Sequence, residues 1–404
     1  MYSKLIKDSS IYVLGEIFSK AVPFLLLPYL TRKLGVSGFG ELSYYQSLVG
    51  FIIIFIGLSQ YGAVTRYYYV YGKCAINLII TTGYGYSFII LIIGLLLSFI
   101  LKSELLAYCF LIAFFQSIHS VQLYIRQCSK KAVSFVKLQF LTSSLNTALT
   151  VILLEVFRDE LVEKRLLAIL ITYVIVSVVA YYQSAKIIDL KYRFSIRQYK
   201  LALLYVFSFG FPLIFHALSY TIKGQFDRVL IFNSFSATDL GIYAAGVQIA
   251  SIVSVIAMAV NTAIIPYIYQ AFKDKVINKS DIMRWCYLSL IAVPLPFIVS
   301  ILMPKHLVII FLGQEFSESL YYFYFFVFNY SLIVPYLILV AYLFYKGETK
   351  QIALSSVASV IIYIIALFIL SEYDMKLIPL ATLISNIIIL PFLMIVIYKS
   401  RELS

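Results

Sequence analysis

Twelve apolar stretches, each long enough to cross a lipid bilayer, occupy almost the whole of this 404-residue chain. Hydrophobic residues make up 62% of the sequence and charged residues 13%, and the mean hydropathy is +0.95. A soluble domain cannot bury so much apolar surface, whereas a membrane can surround it. The sequence therefore predicts an all-α polytopic membrane protein with spans at 8–31, 39–64, 76–101, 104–125, 134–156, 165–186, 201–222, 238–262, 285–303, 320–345, 351–371 and 376–398.

The basic residues are concentrated in alternate loops, which explains the net charge of +13. When loops are assigned to alternate sides, 21 of the 32 Lys and Arg residues lie on the side of the termini and nine on the other. Basic loops are retained in the cytoplasm, so both termini are expected to be cytoplasmic and the number of spans even. The charge thus reflects membrane topology, and we expect no nucleic-acid partner.

A polar loop at about 187–200 separates six spans from six, and the two halves resemble each other in sequence. The segment SGFG at 37–40 resembles TDLG at 238–241, and QFLTSS at 139–144 resembles QIALSS at 351–356. In the first pair we expect the hydroxyl residues Ser37 and Thr238 to be helix N-caps. These repeats predict two pseudo-symmetric six-helix bundles, 1–190 and 191–404, around a central cavity suited to alternating access.

Charged side chains inside the spans are the sharpest local signal, because each costs roughly 2.5–3.5 kcal/mol on insertion scales unless it is paired or hydrated. Span one contains Glu16 and Lys20, and span seven contains Lys223 and Asp227, in each case four residues apart and hence on one helix face. They are either two self-neutralising pairs that orient their helices, or groups that bind substrate and coupling ion.

Neutral polar side chains form stripes on neighbouring spans. Such stripes either join helices by hydrogen bonds or line a hydrated cavity that accepts sugar hydroxyls. They include Gln116, His119, Ser120 and Arg126 in span four, Gln139, Ser143, Asn146 and Thr150 in span five, and His216 on the stripe of span seven. Arg66, at the cytoplasmic end of span two, either follows the topology rule or faces a phosphate.

No catalytic or cofactor motif accompanies these spans. The sequence has no phosphate-binding glycine loop of the Walker type and no HExxH pair, its four cysteines lack ligand spacing, and its three histidines are scattered. We therefore predict neither a catalytic site nor a metal or cofactor, and expect a protein that is not an enzyme.

Two regions carry a resemblance to a known family. Residues 12–15 (YVLG), 28–32 (PYLTR) and 34–40 (LGVSGFG), with 226–231 (FDRVLI) and 241–243 (GIY), resemble polysaccharide flippases of the O-antigen (Wzx) type. These belong to the multidrug/oligosaccharidyl-lipid/polysaccharide exporter superfamily. The resemblance implies a transporter of the bacterial inner membrane that moves undecaprenyl-diphosphate-linked oligosaccharide from the cytoplasmic to the periplasmic leaflet.

The resemblance also implies roles for particular residues. A cationic cavity would bind the diphosphate, and an ion gradient of H⁺ or Na⁺ would drive the cycle through Glu16 or Asp227. Expected partners are the lipid-linked oligosaccharide, membrane lipids and a polysaccharide polymerase. The residues expected to line the cavity are Lys20, Arg66, Arg126, Lys223, His216, Gln139 and Asn146.

Three alternatives share parts of this pattern. A multidrug and toxin extrusion antiporter has the same architecture but favours acidic cavity residues, whereas the buried charges here are mixed. Lipid II flippases typically add two helices at the carboxyl end, and this sequence stops just after span twelve. A membrane-bound polymerase or acyltransferase usually needs a large external loop or a His/Asp cluster.

Overall fold

The computed structural model describes residues 2–73, 75–184 and 194–399, without the side chains of 2–14, 16–18, 263, 266 and 349. Every regular element in that part is helical, which confirms the predicted fold class. The α-helices are α1 (Tyr2–Gly57), α2 (Gln60–Val70), α3 (Ile76–Ile100), α4 (Glu104–Cys128), α5 (Ala132–Val156), α6 (Leu161–Ser184), α7 (Ile196–Ser234), α8 (Ala237–Lys273), α9 (Lys279–Ala292), α10 (Pro294–Leu302), α11 (Lys305–Leu312), α12 (Ser319–Ser331), α13 (Ile333–Lys346), α14 (Thr349–Ser371) and α15 (Ile378–Lys399).

The first two predicted spans are continuous in α1 and α2. Eleven described helical segments are long and apolar enough to cross a membrane, and the first of these, Ser19–Val70, has 52 residues. At 1.5 Å per residue it is about 78 Å long, well over twice the roughly 30 Å hydrocarbon layer. It is interrupted at Gly35, whose φ of 67° and ψ of −177° are non-helical. The segment therefore contains two spans, and the total is consistent with twelve.

Three predicted spans are less regular than their apolar sequences suggested. Span two is broken at Leu58 and Ser59, both with positive φ. In spans nine and ten the helical hydrogen bonding is interrupted at Val293 and Leu332, although the dihedrals of both residues remain right-handed helical. The additional short helix α11 was not predicted. Hydropathy detects the length of an apolar stretch but not where its helical hydrogen bonding is interrupted.

The chain divides into two compact units. The N-terminal unit consists of Met1–Leu26 and Glu41–Thr221, and the C-terminal unit of Leu27–Gly40 and Ile222–Ser404. In the N-terminal unit, Leu58, Val64, Ile76, Ile125 and Val206 are among the buried residues of one apolar core. In the C-terminal unit a second core includes Phe272, Cys286, Leu339, Tyr342 and Leu393.

Large apolar side chains also cover the outside of the helices. On α3 alone, Leu96, Phe99 and Ile100 are all exposed by more than half. In water so much exposed apolar surface would cause aggregation, whereas lipid solvates it. The two cores and the apolar exterior together fit helix bundles that are surrounded by a membrane.

A close crossing of two backbones holds the segment Leu27–Gly40 within the C-terminal unit. A Cβ added to Gly40 would lie 1.8 Å from the carbonyl oxygen of Ala237, and one added to Gly241 would lie 2.0 Å from that of Val36. These contacts are reciprocal, because a shift of 201 residues turns Val36 and Gly40 into Ala237 and Gly241. The SGFG and TDLG segments therefore cross about a local pseudo-twofold axis, as expected of a duplicated element.

The predicted N-caps in these segments are wrong. α1 is helical on both sides of Ser37, so this residue does not begin a helix. α8 is capped by Ser236, whose hydroxyl accepts a 3.0 Å hydrogen bond from the backbone N–H of Asp239, so Thr238 lies inside the first turn. Ser236 and Thr238 are two residues apart at the start of this helix, and the sequence alone did not show which of them has extended backbone dihedrals.

Candidate functional site

Polar side chains from four helices of the C-terminal unit meet around the half-buried Lys223. The Lys223 amine on α7 donates to the hydroxyl of Ser359 on α14 and to the amide oxygen of Asn386 on α15, both at 2.6 Å. Asn386 in turn donates 2.7 Å to the amide oxygen of Asn329 on α12. The lysine thus forms hydrogen bonds with neutral oxygens, and these bonds solvate its charge without cancelling it.

This chain of donors ends in an unsatisfied group. Asn329 is 1% exposed, and its amide nitrogen has no acceptor among the described residues. A buried donor without an acceptor costs about 1–3 kcal/mol. The lysine retains its third N–H as well, so the cluster can take up an additional acceptor-rich group.

One turn further along α7, Asp227 is 5% exposed. One of its carboxylate oxygens accepts a hydrogen bond from the hydroxyl of Tyr243 on α8, and the other accepts 2.8 Å from the backbone N–H of Arg228. Tyr363 of α14 is also within electrostatic range of this carboxylate. Buried carboxylates persist where donors converge on them, and here a phenol and a backbone amide do so.

The self-neutralising pair considered for span seven is not what the structure shows. Lys223 and Asp227 lie on the same helix, but the lysine donates to Ser359 and Asn386, while the carboxylate accepts from Tyr243 and Arg228. The two opposite charges are therefore not paired with each other, and the guanidinium of Arg228 also acts electrostatically on the Asp227 carboxylate. In span one, the side chain of Glu16 lies outside those described, and Lys20 is exposed, so the role of that pair stays a prediction.

Arg126 is fully buried in the N-terminal unit and joins α4 to α6. Its guanidinium donates to the backbone oxygen of Gln122 at 2.7 Å, to that of Ala180 at 3.0 Å and to the side chain of Gln183 at 3.2 Å. Only its Nε has no acceptor in the described part of the chain. In this conformation the hydrogen bonds of Arg126 link α4 to α6.

Asn146, which was expected to line the substrate cavity, is bonded to a buried arginine. Its amide oxygen accepts a 2.7 Å hydrogen bond from Arg165 of α6, which also donates to Thr150. Arg165 is one of the nine basic residues that the topology pattern assigns to the side opposite the termini, but it is 4% exposed and thus buried inside the unit. The signal that could have placed it correctly is its position at the start of an apolar span, facing a polar stripe.

The remaining predicted residues do not form one cluster. Arg66 is exposed, and its guanidinium carbon lies 5.8 Å from the ring centres of both Tyr205 and Phe209. His216 is exposed, and the amide oxygen of Gln139 is buried with no donor among the described residues. Their role in substrate binding stays a prediction.

The sequence did not single out Ser359, Asn386, Asn329 or Tyr243, which surround the two charges of α7. Ser359 is four residues from both Ser355 and Tyr363, and Asn386 is four residues from Thr382, so short polar stripes in the last two spans could have identified these two residues. A charge inside a membrane span requires polar partners. A search of the other spans for polar residues that can bond to Lys223 and Asp227 would therefore have been informative.

Removal of the Tyr243 hydroxyl is expected to destabilise the C-terminal unit. Tyr243→Phe leaves a carboxylate oxygen of the buried Asp227 without its donor, at a cost of about 1–3 kcal/mol. Thermal unfolding of the purified protein in detergent measures the effect. Tyr322→Phe is the matched control, because Tyr322 packs edge-on to Tyr243 with ring centres 5.1 Å apart. If both variants unfold at the same temperature as the wild type, the hydrogen bond between Tyr243 and Asp227 does not contribute to stability.

Solved structures define the class of protein. A mutant of the Vibrio cholerae MATE transporter VcmN aligns with a TM-score of 0.65 and 15% identity, covering 98% of this chain and 96% of that one. An inward-facing multidrug resistance MATE family transporter of the MOP superfamily aligns with a TM-score of 0.65 and 14% identity, covering 93% and 94%. This chain is thus a multi-pass integral membrane protein with the fold of MATE transporters.

The family follows from sequence. Residues 5–272 match the model of the family described as "Polysaccharide biosynthesis protein". Two Haemophilus influenzae proteins are similar over nearly their whole length: an "Uncharacterized membrane protein", 48% identical and covered to 96% in both chains, and "Lsg locus putative protein 1", 45% identical with 96% and 97% covered. The chain belongs to the polysaccharide biosynthesis protein family, which confirms the predicted resemblance.

Proposed function

We propose that this protein is a flippase that moves undecaprenyl-diphosphate-linked oligosaccharide from the cytoplasmic to the periplasmic leaflet of a bacterial inner membrane. Membership of the polysaccharide biosynthesis family supports a role with glycans, and the MATE-like fold supports transport. Under this proposal the protein is a transporter rather than an enzyme, and a polysaccharide polymerase uses the unit that it delivers.

The observation that carries the proposal is the way in which Lys223 is held. A lysine with a carboxylate partner contributes no net charge, whereas one held by Ser359 and Asn386 remains a cation in a low-dielectric interior. Such a charge requires an anion, and a diphosphate provides one. The unpaired donor of Asn329 extends the same cluster toward an acceptor-rich substrate.

Asp227 supplies the coupling step of this proposal. Its burial and its position one helical turn from Lys223 support a role in taking up H⁺ or Na⁺ when the substrate leaves. Both termini are cytoplasmic in this scheme, as the distribution of basic residues predicts.

A second candidate function is drug export. The observation in its favour is the buried carboxylate of Asp227 in a fold that multidrug transporters share. An acid suits an organic cation, whereas Lys223 beside it repels one. Efflux of ethidium from cells that express the protein separates the two, since a flippase of anionic lipids does not move it.

Neutralisation of Lys20 and Lys223 tests the proposed function. In a strain that lacks the gene, Lys223→Ala and Lys20→Ala are expected to abolish surface polysaccharide on a gel at normal protein levels. Lys223→Arg should retain part of the export, because charge matters more than shape for a mobile phosphate. Full-length polysaccharide in the double alanine variant would show that these charges do not bind the substrate.

A further inference from the structure

The chain between spans nine and ten contains a short helix that does not cross the membrane. Span nine ends with α10 at Leu302, and span ten begins with α12 at Ser319. Between them lies α11, Lys305–Leu312, whose eight residues extend over about 12 Å, less than half of the roughly 30 Å hydrocarbon layer. The segment that contains α11 therefore stays at one surface of the membrane.

One face of α11 packs against the rest of the C-terminal unit. Val308 and Leu312 lie four residues apart, and hence on one side of the helix. They are only 4% and 1% exposed. These two side chains therefore define the face of α11 that is turned toward the protein.

The C-terminal end of α11 is joined to α1. The guanidinium of Arg32, the last residue of the PYLTR segment, donates a hydrogen bond to the backbone oxygen of Ile310. A cation is favourable there, because the last carbonyl groups of a helix carry partial negative charge. Just beyond the helix, the ring of Phe316 packs edge-on to that of Phe39 on α1, with ring centres 6.0 Å apart. These contacts and the buried face together fix the orientation of α11.

The opposite face of α11 is exposed and largely apolar. Leu307 and Ile310, three residues apart, are 47% and 63% exposed, and the exposed His306 precedes them. At the end of the preceding span, Val299 and Leu302 are 66% and 76% exposed. Apolar side chains exposed on a membrane span face lipid. The exposed face of α11 thus follows directly in sequence on a surface that faces lipid.

The residues after α11 show the opposite pattern. Gln314, Glu315, Ser317 and Glu318 are all exposed, and all are polar. The same loop therefore presents an apolar surface on α11 and a polar surface immediately after it. A loop surrounded by water on all sides has no need of this division, whereas a loop at a membrane surface does, because one part faces lipid and the other faces water.

We infer that α11 is a membrane-surface helix, which lies in the plane of the lipid head groups and inserts Leu307 and Ile310 among the outer parts of the acyl chains. Its partner is the phospholipid leaflet. Helices of this kind are buried by about 5–10 Å at the boundary between head groups and acyl chains. Lys305, exposed in the first turn, can extend its amine to a lipid phosphate. This lipid contact lies outside the spans and does not rest on the proposed transport function.

Fluorescence quenching of the full-length protein in liposomes tests the proposal. Leu307→Trp and Ile310→Trp each add one tryptophan, and the wild type, whose only tryptophan is Trp285, gives the background signal. Phosphatidylcholine brominated near the head group is expected to quench each added tryptophan at least twofold more than the same lipid brominated near the chain ends, as a helix at the interface requires.

Gln314→Trp is the matched control, because Gln314 is exposed two residues beyond the helix. Iodide in the buffer should quench its added tryptophan at least twofold more than that of Leu307→Trp or Ile310→Trp. The two helix positions are independent and exposed, so if one variant fails to fold the other still decides the outcome.

Three results would overturn the proposal. Quenching of both helix variants by iodide, as strong as that of Gln314→Trp and without quenching by brominated lipid, would place the exposed face of α11 in water. Protection from both quenchers would mean that protein, such as a second copy of this chain, covers it. Stronger quenching by bromine near the chain ends would place α11 inside the hydrocarbon layer instead of at its surface.

Discussion

Replacement of Asn386 by aspartate is expected to abolish export while leaving the protein folded. The new carboxylate would stand where the amide oxygen lies, 2.6 Å from the Lys223 amine, and would neutralise it. Asn329 can accommodate the change, because rotation of its amide turns an unpaired donor toward the aspartate. We expect at least a tenfold loss of surface polysaccharide, with a thermal unfolding temperature equal to or above that of the wild type.

Ser359→Ala is the matched control for this variant. It removes one 2.6 Å hydrogen bond to Lys223 but leaves the positive charge in place. Export should stay within about threefold of the wild type, in keeping with the roughly 0.5–1.5 kcal/mol of one hydrogen bond. Full export by Asn386→Asp would mean that the lysine acts only in packing, since an ion pair there would then be harmless.

The largest effect on stability is expected for Gly40→Ala. Its Cβ would lie 1.8 Å from the carbonyl oxygen of Ala237 and 2.7 Å from the backbone nitrogen of Gly241. Neither is a flexible side chain, so α8 itself would have to shift. We expect a loss of about 3 kcal/mol, at the upper end of overpacking effects, measured as a lower thermal unfolding temperature in detergent.

Gly85→Ala is the control for the glycine variant. A Cβ at Gly85, inside α3, meets no atom within 4 Å. Alanine is the better helix former there by about 0.8–1.0 kcal/mol, so stability should be unchanged or higher. Gly241→Ala should behave like Gly40→Ala, because the two contacts are reciprocal. A normal unfolding temperature for both variants would show that the crossing is not tightly packed.

The sequence was sufficient to predict the helical class and the resemblance to polysaccharide transporters. Apolar length is a property of consecutive residues, so it could be read directly. The interruption at Leu58 could not, because neither Leu58 nor Ser59 favours positive φ. Those dihedrals depend on the packing of α3, α4 and α7 around the break, which brings Tyr86 and Ser87 to the freed carbonyl groups.

The candidate site was only half predicted, for a related reason. Lys223 and Asp227 stand out in an apolar span, but their spacing left open whether they pair with each other. Tertiary packing decides this by bringing Asn386 to the lysine and Tyr243 to the aspartate from distant spans. The polar stripe of span four left open whether Arg126 joins helices or lines a cavity, and in the structure it is fully buried and donates to the backbone oxygen of Ala180 on α6.

The most direct test of the central claim is transport by the purified protein in liposomes. Undecaprenyl-diphosphate-linked oligosaccharide is placed in the outer leaflet. The fraction of the glycan that a membrane-impermeant glycosidase can no longer cleave is then measured over time. The wild type is expected to protect the glycan faster than protein-free liposomes, and Asn386→Asp to protect it no faster. Equal rates with and without the wild-type protein, together with transport of ethidium by the same liposomes, would contradict the account and favour drug export.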